Sequence, residues 1–138
     1  MLHKKKAVIL VIGMLVLLTS CTQILYETLI QGRWEVDEYY RNGVEDTQSF
    51  YLLFGDYAIT FHPDGHFTET YTLGNIMPVT NPGTWELITN GDQLRLVDQA
   101  TPRTYNIVSM TKDELRLQRD IGDGSNEELV LEPKAETP

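Results

Sequence analysis

The sequence predicts an all-β domain, an antiparallel up-and-down meander of about eight strands that closes into a barrel, preceded by a short N-terminal helix. Three observations point there. Apolar residues recur mostly at alternate positions from Arg33 onward, turn residues interrupt them at short intervals, and two of those turns set registers that agree with the flanking hydrophobic pattern. A meander has two exposed edges unless it closes on itself, and a barrel of about eight strands has an interior that side chains fill or that holds one small ligand.

Taken in order, Ile24, Leu25, Leu29 and Ile30 fit one helical face, so residues 21–31 form a tether or short helix ahead of the first strand. Arg33–Arg41 is that strand, with Trp34, Val36, Glu38 and Tyr40 on one face under strict alternation, and Asn42-Gly43 ends it. Residues 44–56 carry Phe50-Tyr51-Leu52-Leu53-Phe54 without alternation, a short helix or a loop that closes one end. In His62-Pro63-Asp64-Gly65-His66, Pro presets a turn, Asp suits the next position and Gly supplies the left-handed residue. Pairing His62 with His66 sets Phe61 opposite Phe67, Ile59 opposite Glu69 and Tyr57 opposite Tyr71 on one face. Thr60, Thr68, Thr70 and Thr72 take the other.

Asn90-Gly91 favours a type I′ turn, which sets Leu87 opposite Leu94 and Trp85 opposite Leu96. Residues 103–110 and 114–119 form a third hairpin around Lys112-Asp113. There the turn pairs Met110 with Leu115 and Val108 with Leu117 but leaves Tyr105 and Ile107 outward, so a bulge or longer loop intervenes. Residues 127–132 are the last strand. The barrel domain spans 32–133, and 134–138 is a disordered tail.

The N-terminal segment carries a different message. Lys4, Lys5 and Lys6 precede an apolar run from Ala7 to Leu18, too short for a transmembrane helix of roughly 20 residues but within the range of a signal peptide's core. Leu18-Thr19-Ser20-Cys21 resembles the bacterial lipobox, which implies removal of residues 1–20 and diacylation of Cys21. Cys21 is the single cysteine of the chain, so the lipidated protein would have no thiol for a disulfide. Two or three acyl chains on one cysteine make a durable membrane anchor. Thr22 stands where, in sorted lipoproteins, Asp signals inner-membrane retention, so the resemblance implies outer-membrane delivery, facing the periplasm or the cell surface. Loss of the three signal lysines takes the formal net charge from −9 to −12. That sign excludes nucleic-acid binding through the phosphate backbone and disfavours adhesion to anionic lipid.

Gly32-Arg33-Trp34, after a short helical segment, resembles the Gly-x-Trp signature of lipocalins. The run Gly83-Thr84-Trp85-Glu86-Leu87, Asp92 to Leu96, Tyr105-Asn106-Ile107 and Glu114 to Leu117 is similar to small bacterial lipocalin-like lipoproteins. The resemblance implies that Trp34 plugs the closed end of a barrel and that an arginine, Arg116 or Arg119, packs over it.

Catalytic and metal chemistry find little support. His62, Asp64 and His66 flank a turn without a third strong ligand nearby, and Asp120, Asp123, Ser125 and Glu127 lack the spacing of an EF-hand. No nucleophile elbow or phosphate loop occurs, so neither an enzyme nor a cofactor is expected. The informative oddity is two acids on apolar faces, Glu38 and Glu69. A buried carboxylate requires a partner, a raised pKa or a wet cavity. Either a bulge or rim position leaves both wet, or they are the polar contacts of a binding cavity lined by Trp34, Glu38, Tyr40, Tyr57, Ile59, Glu69, Tyr71 and Trp85. In the second case bare carboxylates would favour a neutral or cationic apolar ligand over a fatty acid. Two function classes follow: a lipid-anchored binding protein for a small apolar or amphipathic molecule, and an envelope interaction subunit with a filled barrel whose surface or 50–54 segment meets another protein.

Overall fold

The computed structural model describes residues 24–135. Cys21 and its lipobox lie outside the described residues. Residues 24–30 form helix α1. Nine strands follow: β1 (Gly32–Arg41), β2 (Val44–Glu45), β3 (Phe54–Phe61), β4 (His66–Leu73), β5 (Met77–Ile88), β6 (Gln93–Val97), β7 (Arg103–Met110), β8 (Leu115–Gly122) and β9 (Ser125–Pro133). Helix α2 (Thr47–Leu53) lies between β2 and β3. Each of β3 to β8 pairs antiparallel with its successor, and β1 joins β3 on one side and β9 on the other. The result is a closed eight-strand meander with β2 as a short extra strand on β1, a lipocalin-like barrel.

The hairpins adopt the registers that their turns dictate. Phe61 pairs with Phe67 and Ile59 with Glu69, while Trp85 pairs with Leu96 and Leu87 with Leu94. The His62 N–H donates to the His66 carbonyl across the first turn at 2.8 Å, and Asn90 and Gly91 hold positive φ of 57° and 88° in the second. The expected irregularity in the third hairpin is a bulge between Ile107 and Ser109. It pairs Ile107, not Val108, with Leu117, leaves Val108 exposed and turns Tyr105 inward, where it is buried. A further bulge between Gly55 and Ala58 takes Tyr57 out of direct pairing with Tyr71, although the two rings still stack with centroids 6.3 Å apart.

Strand β1 departs from strict alternation. A register shift between Val36 and Glu38 inserts one extra residue against β9. Trp34 and Val36 point into the core, and beyond the bulge Tyr39 takes the inward position in place of Glu38 and Tyr40. β1 contacts β3 through only three residue pairs, Gly32 to Trp34 against Phe61 to Ile59. Past them the two strands diverge, and α2 fills the gap. Phe50 and Tyr51 pack against the core, and the Tyr51 hydroxyl donates to the Val36 carbonyl at the bulge.

The closed end is apolar and dense. Ile30, Phe61, Phe67, Leu94, Leu115 and Leu131 are almost wholly sealed from water. The Trp34 indole N–H donates to the Ile30 carbonyl at 2.8 Å, which ties the last residue of α1 to the barrel floor. The apolar face expected for α1 is rotated, since Ile30 is buried while Ile24 and Leu25 are exposed. Gly83 is required by a close approach: a Cβ there would lie 2.4 Å from both the Phe67 ring and the Val97 carbonyl.

Candidate functional site

The open half of the barrel contains a cavity of about 270 Å³. Its apolar wall comes from α2 and the neighbouring strand ends. The Phe50 ring lies 5.0 Å from Phe54 and 5.4 Å from Tyr57, and Phe54 meets Tyr71 edge-on at 5.1 Å. Exposed Ala100 and Thr101, in the β6–β7 loop, form part of the rim.

Two ionic networks complete the lining. Glu69 is 5% exposed. It accepts from the Tyr57 hydroxyl at 2.5 Å and, in a two-pronged pair, from Arg103 Nη1 and Nη2 at 3.3 and 3.2 Å. Asn81 Nδ2 donates to Glu69 at 3.3 Å and to Asp98 at 2.8 Å, and Arg103 also reaches Asp98 at 3.4 Å. The second network joins Arg119 Nε to Glu127 at 2.5 Å, and the Tyr39 hydroxyl donates to the other Glu127 oxygen at 3.0 Å. The Arg119 guanidinium sits over the Tyr105 ring, 5.1 Å from its centroid.

These surroundings fix protonation. Burial, reinforced by the Glu69 charge, drives the Tyr57 hydroxyl well above its usual value, and burial likewise raises Tyr105. Burial and then Glu127 push Tyr39 up to about 12. All three are neutral phenols near pH 7. Burial opposes ionisation of Asp98, but hydrogen bonds from Asn81 and the Ala100 N–H, with Arg103 beside it, hold its carboxyl below the ordinary range. Burial also opposes the Arg103 charge, yet Tyr105 and Glu69 around it raise its pKa, so it remains a cation.

Of the residues singled out from sequence, Tyr57, Glu69 and Tyr71 line the cavity. Trp34 and Ile59 belong to the packed core and Trp85 to the closed end, where its indole N–H donates to the His62 carbonyl at 3.0 Å. Glu38 and Tyr40 do not face the interior. The β1 bulge reverses their orientation, and they bond to each other at 2.6 Å on the outer side. The carboxylate of Glu69 is not bare, so the expected repulsion of anions by unpaired interior acids does not hold. Arg116 is paired with Glu114 and Glu128, and Arg119 lies over Tyr105 rather than Trp34. Asn81, Asp98, Arg103, Arg119 and Glu127 had no place in the sequence-derived site. An inward Glu69 was the available signal, because it demands a cation from another strand.

A closed antiparallel barrel with an apolar floor, a Gly-x-Trp first strand and a cavity at its far end defines a lipocalin-type architecture. The Lipocalin-like domain family model matches residues 30–117, and the chain belongs to that family. A lipocalin-like protein from Bacteroides uniformis has a similar crystal structure, with a TM-score of 0.58 at 14% identity, covering 77% of this chain and 99% of that one. An uncharacterized protein from Bacteroides eggerthii is similar at a TM-score of 0.55 and 13% identity, covering 76% of this chain and 99% of that one. At those identities the likeness shows the fold alone. No curated protein matches the chain.

Proposed function

We propose that this protein is a lipid-anchored, non-catalytic binding protein of the bacterial envelope, held at the outer membrane through Cys21, that takes a small apolar or amphipathic molecule into the open half of its barrel. The observation that carries the binding reading is the cavity of about 270 Å³, lined by packed aromatic rings and by hydrogen-bonded ion pairs. Apolar walls with a few fixed polar groups are the usual make-up of small-molecule sites. The anchor reading rests on the sequence of residues 4–21.

Titration with a neutral solvatochromic naphthalene dye tests binding. The expected result is saturable one-to-one binding that Thr101→Trp, placing a large ring at the exposed rim, weakens without lowering the melting temperature. Absence of binding would favour the second reading, an envelope interaction subunit, for which the exposed Leu52 and Leu53 on α2 are the relevant observation. For the anchor, Cys21→Ala should abolish incorporation of a fatty-acid analogue in metabolic labelling, and label retained in the mutant would end that part of the proposal.

A further inference from the structure

The free hydrogen-bonding capacity of the cavity wall leans towards donors. Both oxygens of Glu69 are engaged, by Asn81, Tyr57 and Arg103. Both oxygens of Glu127 are engaged by Arg119 and Tyr39. Asp98 accepts from Asn81 and Arg103 on one oxygen and from the Ala100 N–H on the other. Donors are left over. Arg119 uses only Nε, and among the described residues neither of its Nη groups makes a hydrogen bond, nor do the hydroxyls of Tyr71 and Tyr105. On the acceptor side, among the described residues, the inner-wall side-chain oxygens that accept no hydrogen bond are Asn81 Oδ1 and the hydroxyls of Tyr57, Tyr71 and Tyr105.

Charge narrows the choice further. Glu69, Asp98 and Glu127 stand against Arg103 and Arg119, a surplus of one negative charge. An anion therefore gains no net attraction, and a cation would have to share carboxylate oxygens already engaged by Arg103, Arg119, Asn81, Tyr39, Tyr57 and the Ala100 N–H. A neutral acceptor suits both conditions. Shape and size come from the rings: Phe50, Phe54, Tyr57 and Tyr71 form a stacked and edge-on wall. The volume of about 270 Å³ equals roughly nine waters at about 30 Å³ each. That accommodates a bicyclic ring system, whereas a long acyl chain would extend beyond the rim.

We infer that the cavity selects a small, uncharged, planar aromatic ligand carrying a carbonyl-type acceptor, which Arg119, Tyr105 and Tyr71 bind as donors against the Phe50–Tyr71 ring wall. This inference rests on the binding reading above and adds the chemical class of the ligand.

Calorimetric titration of the purified protein with four bicyclic probes tests it: coumarin, naphthalene, 1-naphthylmethylammonium and 1-naphthoate. Coumarin should bind about tenfold or more tighter than naphthalene, the margin that one hydrogen bond to a charged group supplies, and tighter than either ionic probe. Tyr105→Phe, which removes a hydroxyl without a hydrogen-bond partner among the described residues, and Arg119→Gln should each narrow the coumarin-to-naphthalene ratio. If Arg119→Gln destabilises the protein by leaving Glu127 unpaired, Tyr105→Phe carries the test. Equal affinity for coumarin and naphthalene, a ratio unchanged in Tyr105→Phe, or tightest binding of an ionic probe would overturn the acceptor inference while leaving the binding reading intact. Failure of all four probes to bind would overturn both.

Discussion

At the closed end of the barrel Ile30, Trp34, Phe61, Phe67 and Leu115 exclude water by packing alone, whereas at the open end the interior is held by Glu69, Arg103, Asp98, Arg119 and Glu127 around an unfilled volume. Both ends belong to the same eight strands, so the difference lies in the side chains that alternate inward along them. β4 shows the change within one strand, as Phe67 gives way to Glu69 and then Tyr71 toward the mouth. Apolar packing stabilises in proportion to the area removed from water. A buried ion pair contributes far less on balance, because its desolvation cost offsets most of its attraction. The closed end therefore carries the stability, and the open end keeps a space of defined polarity.

The largest expected effect lies at the closed end. Trp34→Ala should lower unfolding stability by about 3 to 5 kcal/mol, a large part of a typical total of roughly 5 to 15 kcal/mol. Urea denaturation measures it, and a wild-type midpoint would mean that Trp34 is not a packing element. At the open end, Glu69→Ala strands Arg103 in a site where its side chain is only 19% exposed. A loss of about 3 kcal/mol is expected, and the double change Glu69→Met with Arg103→Met should recover most of it, since removing both partners of a buried pair is often neutral. If the double variant is as unstable as the single one, the pair is a net stabiliser and the open end shares in holding the fold together.

Alkaline pH separates the ends by another route. Tyr39 and Tyr51 rise from 10.0 to about 12 on folding, mainly through burial. A group whose folded pKa lies above its unfolded value contributes its stability below the unfolded value and loses it as pH climbs through the folded one. Stability should accordingly decline between about pH 10 and about pH 12. Tyr39→Phe should flatten that decline, and an unaltered profile would show that Tyr39 ionises freely. The smallest effect belongs to the outer surface. Arg95 and Glu86 approach to 3.9 Å with both side chains well exposed, so Arg95→Ala should change stability by at most about 0.5 kcal/mol. A loss above about 1 kcal/mol in thermal unfolding would mean that this exposed pair stabilises the fold beyond the usual surface range.

What the sequence discloses follows the range of the forces involved. The hairpins at His62–His66 and Asn90-Gly91 were legible because turn chemistry and alternation are local and agree. The bulges at Asp37, Asp56 and Val108 were harder to foresee. The third hairpin exposed a conflict between its turn and its pattern, but Glu38 and Tyr40 continued an apolar-looking alternation that the β1 bulge reverses. Within the cavity, Tyr57, Glu69 and Tyr71 belong to one hairpin and were found together. Arg103 and Arg119 reach the site from β7 and β8, and nothing short-range in their surroundings distinguishes an inward arginine from the solvated kind. Asn81 and Asp98 are placed by the same long-range assembly.

The pairing of β1 with β9 has a kinetic consequence. Trp34 meets Pro133 across nearly the whole barrel sequence, and closing a loop of about 100 residues costs roughly 4 kcal/mol from chain length alone. Hairpins β3–β4 and β5–β6 can form early from local contacts, but β1 has only its two pairs with β2 and its three with β3 until the last strand exists. A chain that emerges from its N-terminus therefore keeps the β1 edge that pairs with β9 unmatched until β9 is available. Folding should be limited by this final zipping, on the millisecond-to-second scale of proteins dominated by distant pairings. Until then the unmatched edge invites pairing with another chain.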